Sequence, residues 1–344
     1  MELREIVSIG HASFAKRALE KFGGVRSGIA LYNREDIALF LRCRGLLEDI
    51  AKAGNMRVIA REGKEVLQDT MCRLESFNPV RPVNPLGMVM LATDAVCVHS
   101  GIRDTAELFR RGKIDKINPD SDTGGIAITQ DARGDIVRSL FLEFDVSRPI
   151  YSVIVAVHEL RHSLQPEHEE LFSIFRQRTG MRGYASLVDA IHADARLREM
   201  RIRFGMRTHE LDFFALPEVL KLAERVGMDV ESLKSYLTYA APLADFFMCW
   251  VEGESYVLQG GISAKAPQIT QFPAVQDLYR LIGFLDAISS LFSSIKSVHY
   301  EVGIGIYEYF RIHPNKKLPK SEDFRRAVSE HVHSLAPISA PINA

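Results

Sequence analysis

Cysteine is scarce in this chain: Cys43, Cys72, Cys97 and Cys249 are the only four in 344 residues, and no two stand at CxxC spacing. That scatter argues against a disulfide framework and against a thiolate zinc site. An excess of either charge is also missing, since 43 Lys and Arg face 44 Asp and Glu. A nucleic-acid surface needs a basic surplus to neutralise phosphates, so no nucleic-acid partner is expected. The short basic runs at 196–207 and 316–320 read as solvated helix faces or tail. No stretch reaches about 18 uninterrupted apolar residues, so no membrane span is expected. The opening residues, MELREIVSIGHASFAKR, lack the apolar region and small-residue cleavage site of a signal peptide. The expected location is cytoplasmic, and export as an effector without a classical signal would leave the same sequence.

What is present is an ordinary globular mixture, 47% hydrophobic and 25% charged, long enough for one large domain or two. Residues 13–54 read as helical, with apolar spacings of three and four between Arg34 and Ile50. A short strand at 56–60 and a helix at 64–74 follow. Three prolines within SFNPVRPVNPLG (76–87) mark an irregular connection and a boundary. Residues 118–125 are a loop by composition. GIAITQ (125–130) and DIVRSLFLEF (135–144), joined by DARG, read as a β-hairpin. A helix then starts near Ser147-Arg148-Pro149, with Ser147 as the cap candidate, and ends at Pro166. Further helices are expected at 184–204, 214–227, 230–256 and 273–298, with GGISAKAP (260–267) as an interrupting loop. The division expected is an N-terminal helical region (1–80), a catalytic core (81–210), a C-terminal helical region (211–334) and a flexible tail (335–344).

The chemistry sits in YSVIVAVHELRHSLQ (151–165), which contains His158-Glu159-Leu160-Arg161-His162. Residues four apart share a helix face, so both imidazoles can reach one ion. Glu159 is tilted around the same side, where its carboxylate can take a proton from a metal-bound water. Neutral imidazoles suit zinc, and a catalytic zinc keeps one position open for water. The preceding turns are strongly apolar, as a buried active-site helix requires. A hairpin ahead of that helix gives an edge strand on which an extended peptide can add. The plain alternative is a set of partly exposed helix histidines.

This arrangement resembles the zincin metallopeptidases. It is most similar to uncharacterised bacterial metallopeptidases whose core reads HELRH followed two residues later by Gln, here Gln165. The resemblance covers about residues 85–200 and implies fold and metal chemistry rather than substrate. It also implies a third ligand, for which three residues compete. His168 falls at the metzincin spacing, but Gln165 stands where that family has its turn-forming glycine. His192 lies in a downstream helix whose HADA is similar to the EADA element of related families, and Asp194 follows in the same element. His192 ranks first, then His168, then Asp194. Tyr184, His209 and Tyr256 are candidates for stabilising an oxyanion. Trp250, Glu252, Glu254 and Tyr256 interrupt an apolar helix; they read first as a helix end, with a cleft wall beside the metal as the sharper alternative. Asn118 to Gly124 lacks the Gly and Glu of a calcium loop, and Gly303-Ile304-Gly305 lacks the third glycine of a dinucleotide site.

The expected fold is therefore α+β and zincin-like, a small, mostly antiparallel sheet on the HExxH helix within many helices. The expected function is a zinc metallopeptidase acting on a peptide or protein substrate, with His158, His162 and His192 on Zn2+ and Glu159 as general base. The alternatives are a zincin-like module that only binds a partner, and a zinc hydrolase for a non-peptide amide or ester.

Overall fold

A computed structural model of the chain describes residues 3–22, 34–53, 84–130, 135–167, 230–291 and 298–320, with isolated positions at 65, 68–73, 133, 201–202 and within 217–224 and 322–330. The expected strand at 56–60, most of the expected helices at 184–204 and 214–227, and the tail lie outside them. Among the described residues the architecture is α+β: mostly helical, with one three-stranded sheet. No single described helix is long and apolar enough to cross a membrane.

Helices α1 (Leu3–Phe22) and α2 (Arg34–Ala53) pack on each other, and α1 also lies along the helix Val298–Ile312. The proline-rich connection ends sooner than its composition suggests. Asn84 accepts a hydrogen bond from the Gly87 amide at 2.8 Å and Pro85 opens α3 (Pro85–Ser100), a polar cap with proline at a position that needs no amide hydrogen. After α4 (Thr105–Gly112) come β1 (Lys116–Ser121), β2 (Gly125–Gln130) and β3 (Ile136–Glu143).

The β2–β3 hairpin forms in antiparallel register, Ile126 opposite Leu140 and Gln130 opposite Ile136. The sheet as a whole is mixed rather than mostly antiparallel. Its order is β1-β3-β2, and β1 runs parallel to β3 with Ile117 opposite Leu140. Residues 118–121, expected as loop, are the end of that strand. The chain must then cross from one sheet edge to the other past the C-terminal end of β3. Residues 122–124 make the crossing, between Ser121 opposite Glu143 and Gly125 opposite Phe141.

Helix α5 (Pro149–Ser163) lies against β3, α3 and the later helices, and Ile150, Val153, Ile154, Ala156, Val157 and Leu160 are wholly buried. Its β-branched run has little intrinsic helix preference, so burial on several sides holds it in a helix. Pro149 occupies the first turn, but the residue before it is Arg148 without a side-chain cap; Ser147 instead bonds Asp145.

The expected helix at 230–256 is two, α6 (Val230–Tyr239) and α7 (Ala241–Ser263), with Pro242 in the first turn of the second. Helix α7 runs through Gly260 and Gly261, which composition assigns to a loop. A Cβ on Gly260 would lie 2.8 Å from the Gly283 Cα of a neighbouring helix, so Gly260 serves a close helix crossing instead. The chain continues through α8 (Pro267–Thr270), α9 (Pro273–Leu291) and α10 (Val298–Ile312), with α7 packed against α5, α9 and α10. Helix α10, absent from the sequence reading, lies against α1 and α7.

Candidate metal centre

His158 and His162 stand one turn apart near the C-terminal end of α5, both buried. Helix α7 crosses them and carries Glu252, Ser255 and Gln259 at helical spacings of three and four, a polar row on a mostly apolar helix. Where the helices meet, His158 Nε2, His162 Nε2 and Glu252 Oε2 converge. The two nitrogens are 3.0 Å apart, and the carboxylate oxygen lies 3.1 Å from one and 3.4 Å from the other. An ion held tetrahedrally by N and O ligands at about 2.0–2.1 Å separates its donors by about 3.3 Å. The triangle matches that size within a few tenths of an ångström, and the three residues form a group able to hold a metal ion.

The electrostatics agree with a site built for positive charge. Burial alone would lower the His162 pKa, but the Glu252 carboxylate, with Glu159 and Gln165, outweighs it and raises it to about 9. Burial likewise opposes ionisation of Glu252, and the two imidazoles overcome it, holding its carboxyl well below the usual range. An anion buried between two imidazoles calls for a cation, either a proton or a metal.

Glu159 is partly buried beside this cluster. Burial raises its pKa; His158 and His162 pull it down and Glu252 pushes it up. The crossing between β1 and β2 lies directly against it. A Cβ on Gly124 would stand 3.1 Å from Glu159 Oε1 and 3.3 Å from both Glu159 Cγ and Val155 Cγ1. Glycine there keeps the carboxylate uncrowded and brings the start of β2, an edge strand of the described sheet, up to it.

Around the ligands the two helices are tied by polar contacts. Arg161 donates to Glu254 at 2.9 Å, and Gln165 donates to the Val251 carbonyl at 3.0 Å and to Glu254 at 2.5 Å. The Tyr256 ring stands edge-on to His158 with centroids 4.6 Å apart. Burial first, then Asp286 and Tyr300, hold its hydroxyl well above the usual phenol pKa.

His158, Glu159 and His162 are thus brought together as the motif predicts. His192, His168 and Asp194 lie outside the described residues, as do Tyr184 and His209. Among the described residues the third member of the group able to hold an ion is Glu252, in the cluster that the sequence reading took first for a helix end and, as the sharper alternative, for a cleft wall beside the metal. Because α7 continues to Ser263, Glu252 and its neighbours are mid-helix. Carboxylates inside a buried helix need partners; the polar row at 252, 255 and 259 was the available signal. Comparison with protein-family models, curated proteins and solved structures returns no match.

Proposed function

We propose that the chain is a zinc-dependent, zincin-like hydrolase that cleaves peptide bonds, with His158, His162 and Glu252 as the protein ligands. The observation that carries this reading is the convergence of two imidazole nitrogens and one carboxylate oxygen on a single point, beside a carboxylate that is not one of them. Two histidines and one glutamate are a ligand set of catalytic zinc sites, which leave a position for water or substrate. When bound, the ion supplies Lewis acidity and lowers the pKa of water that it holds.

Glu159 is the general base. It stands beside the three converging groups without being one of them, where a carboxylate can accept and return a proton. It takes the proton of the attacking water and delivers it to the leaving amine. Tyr256, packed on His158, is a candidate donor of a hydrogen bond to the developing oxyanion. The edge strand β2, entering at Gly124, supports an extended peptide as substrate, added by main-chain hydrogen bonds.

Metal analysis of the purified chain, with a peptide-library cleavage assay with and without chelator, tests this directly. About one zinc per chain and chelator-sensitive cleavage is the expected result. Zinc without cleavage of any peptide would leave a partner-binding module or a hydrolase for another amide or ester.

A further inference from the structure

Both histidines turn their second ring nitrogen to a glutamine rather than directly to a carboxylate. His158 Nδ1 is 3.0 Å from Gln259 Oε1, and His162 Nδ1 is 2.7 Å from Gln165 Oε1. The orientation of each amide follows from what lies on its other side. Gln259 Nε2 faces the Gly283 carbonyl at 3.2 Å and Asp286 Oδ2 at 2.6 Å. Gln165 Nε2 faces the Val251 carbonyl and Glu254 Oε2. Backbone carbonyls only accept, so each NH2 must point to them and each Oε1 to the imidazole. An amide oxygen 2.7–3.0 Å from a ring nitrogen requires a hydrogen between them, and only the ring can supply it. The Ser255 hydroxyl, 3.4 Å from His162 Nδ1, is too distant to compete with a partner at 2.7 Å.

We propose that Gln165 and Gln259 are positioning residues that keep a hydrogen on Nδ1 of both imidazoles, so that each ring turns an Nε2 lone pair toward Glu252 and the ion between them. Asp286 and Glu254 are the anions that lock the two amides. Each is held in turn by a further donor, Tyr151 at 3.3 Å from Asp286 and Arg161 at 2.9 Å from Glu254. Gln259 lies on α7 and Gln165 just past the end of α5, but the two relays have one order: imidazole, glutamine, carboxylate, donor. The neutral amide leaves Glu252 as the anion in contact with the ion and passes the second negative charge one residue outward. This rests on reading the cluster as a metal centre, not on peptide cleavage.

Ring nitrogens of the full-length, 15N-labelled chain can be read by long-range proton–nitrogen correlation, after chelation and with one equivalent of zinc. Both histidines should carry hydrogen on Nδ1 in both samples and coordinate through Nε2 when zinc is present. A ring protonated on Nε2 alone, or coordinated through Nδ1, overturns the proposal. Gln259→Met removes the acceptor at similar volume and should weaken zinc binding about 10- to 100-fold. The double variant Gln259→Glu with Asp286→Asn still accepts from His158 and supplies an amide donor at 286, and it should recover most of that loss. Equal losses in both folded variants would mean that position 259 acts through packing alone. Nδ1-protonated rings in a chain that takes up no zinc would support the relays while removing the metal reading. Zinc bound without peptide cleavage would remove only the peptidase.

Discussion

Glu252 Oε2 lies 3.1 Å from His158 Nε2, although 94 residues separate the two in the chain. A metal held by both would join α5 to α7 and would contribute to stability as well as to chemistry. Glu252→Ala should lose zinc more severely than the 10- to 100-fold typical of a residue that only supports a ligand. Competition with a chromogenic chelator measures the loss. Wild-type affinity in Glu252→Ala would remove Glu252 from the ligand set.

Glu159→Gln keeps a side chain of the same shape and should bind zinc normally. It should lose about 10²- to 10⁴-fold in hydrolysis, the usual cost of removing a general acid-base group. Metal content and turnover measured on one preparation separate the two effects. Equal rates in variant and wild type would refute the role of Glu159.

Gly124→Val tests the contact between the strand crossing and the base. Its Cβ would stand 3.1 Å from Glu159 Oε1, which must give by a few tenths of an ångström, and the two methyl groups beyond that Cβ push the carboxylate further. The rate constant for turnover should fall about 10²-fold, as expected for an ångström-scale misplacement of a reacting group, and zinc affinity should be unchanged. A change in KM alone would point to substrate contact instead.

Gly253 packs against α10, where a Cβ would stand 2.0 Å from the Gly303 carbonyl oxygen. Backbone cannot yield as a flexible side chain does, so Gly253→Ala should cost about 1–3 kcal/mol or more. Because Gly253 lies between Glu252 and Glu254, zinc affinity should fall with stability. Thermal melts with and without zinc would show both losses, and an unchanged melting temperature would contradict the close crossing.

His11 on α1 is buried and bonds the Glu301 carbonyl oxygen at 2.8 Å. Burial outweighs that bond and lowers its pKa from 6.5 to about 4. Below pH 6.5 the unfolded chain takes up a proton that the folded chain refuses until about pH 4. Stability should therefore decline as pH falls through this window, by on the order of 3 kcal/mol from this group. His11→Gln keeps a donor and does not titrate, so the difference between variant and wild type in urea denaturation should follow that window. A pH-independent difference would contradict it.

What the sequence by itself determined is what local geometry determines. His158 and His162 share a face because a helix repeats every 3.6 residues, and Glu159 follows by adjacency. The β2–β3 hairpin was legible from two short runs and their turn. The parallel pairing of β1 was not, because it depends on a crossing to the opposite sheet edge. Glu252 was legible as one of a polar cluster in an apolar helix, read first as a helix end and second as a cleft wall beside the metal; sequence could not choose, since its partner is 94 residues away. Gln165 was noticed as part of a motif, but its role depends on the Val251 carbonyl and Glu254 facing it from α7. The glycines at 260 and 261 look like a loop in sequence, yet α7 runs through both, and Gly260 serves the close crossing with α9 at Gly283. Local periodicity thus supplied two of the three residues of the candidate metal centre, and the packing of α7 on α5 supplied the third, because groups from separate helices meet only when the core brings those helices together.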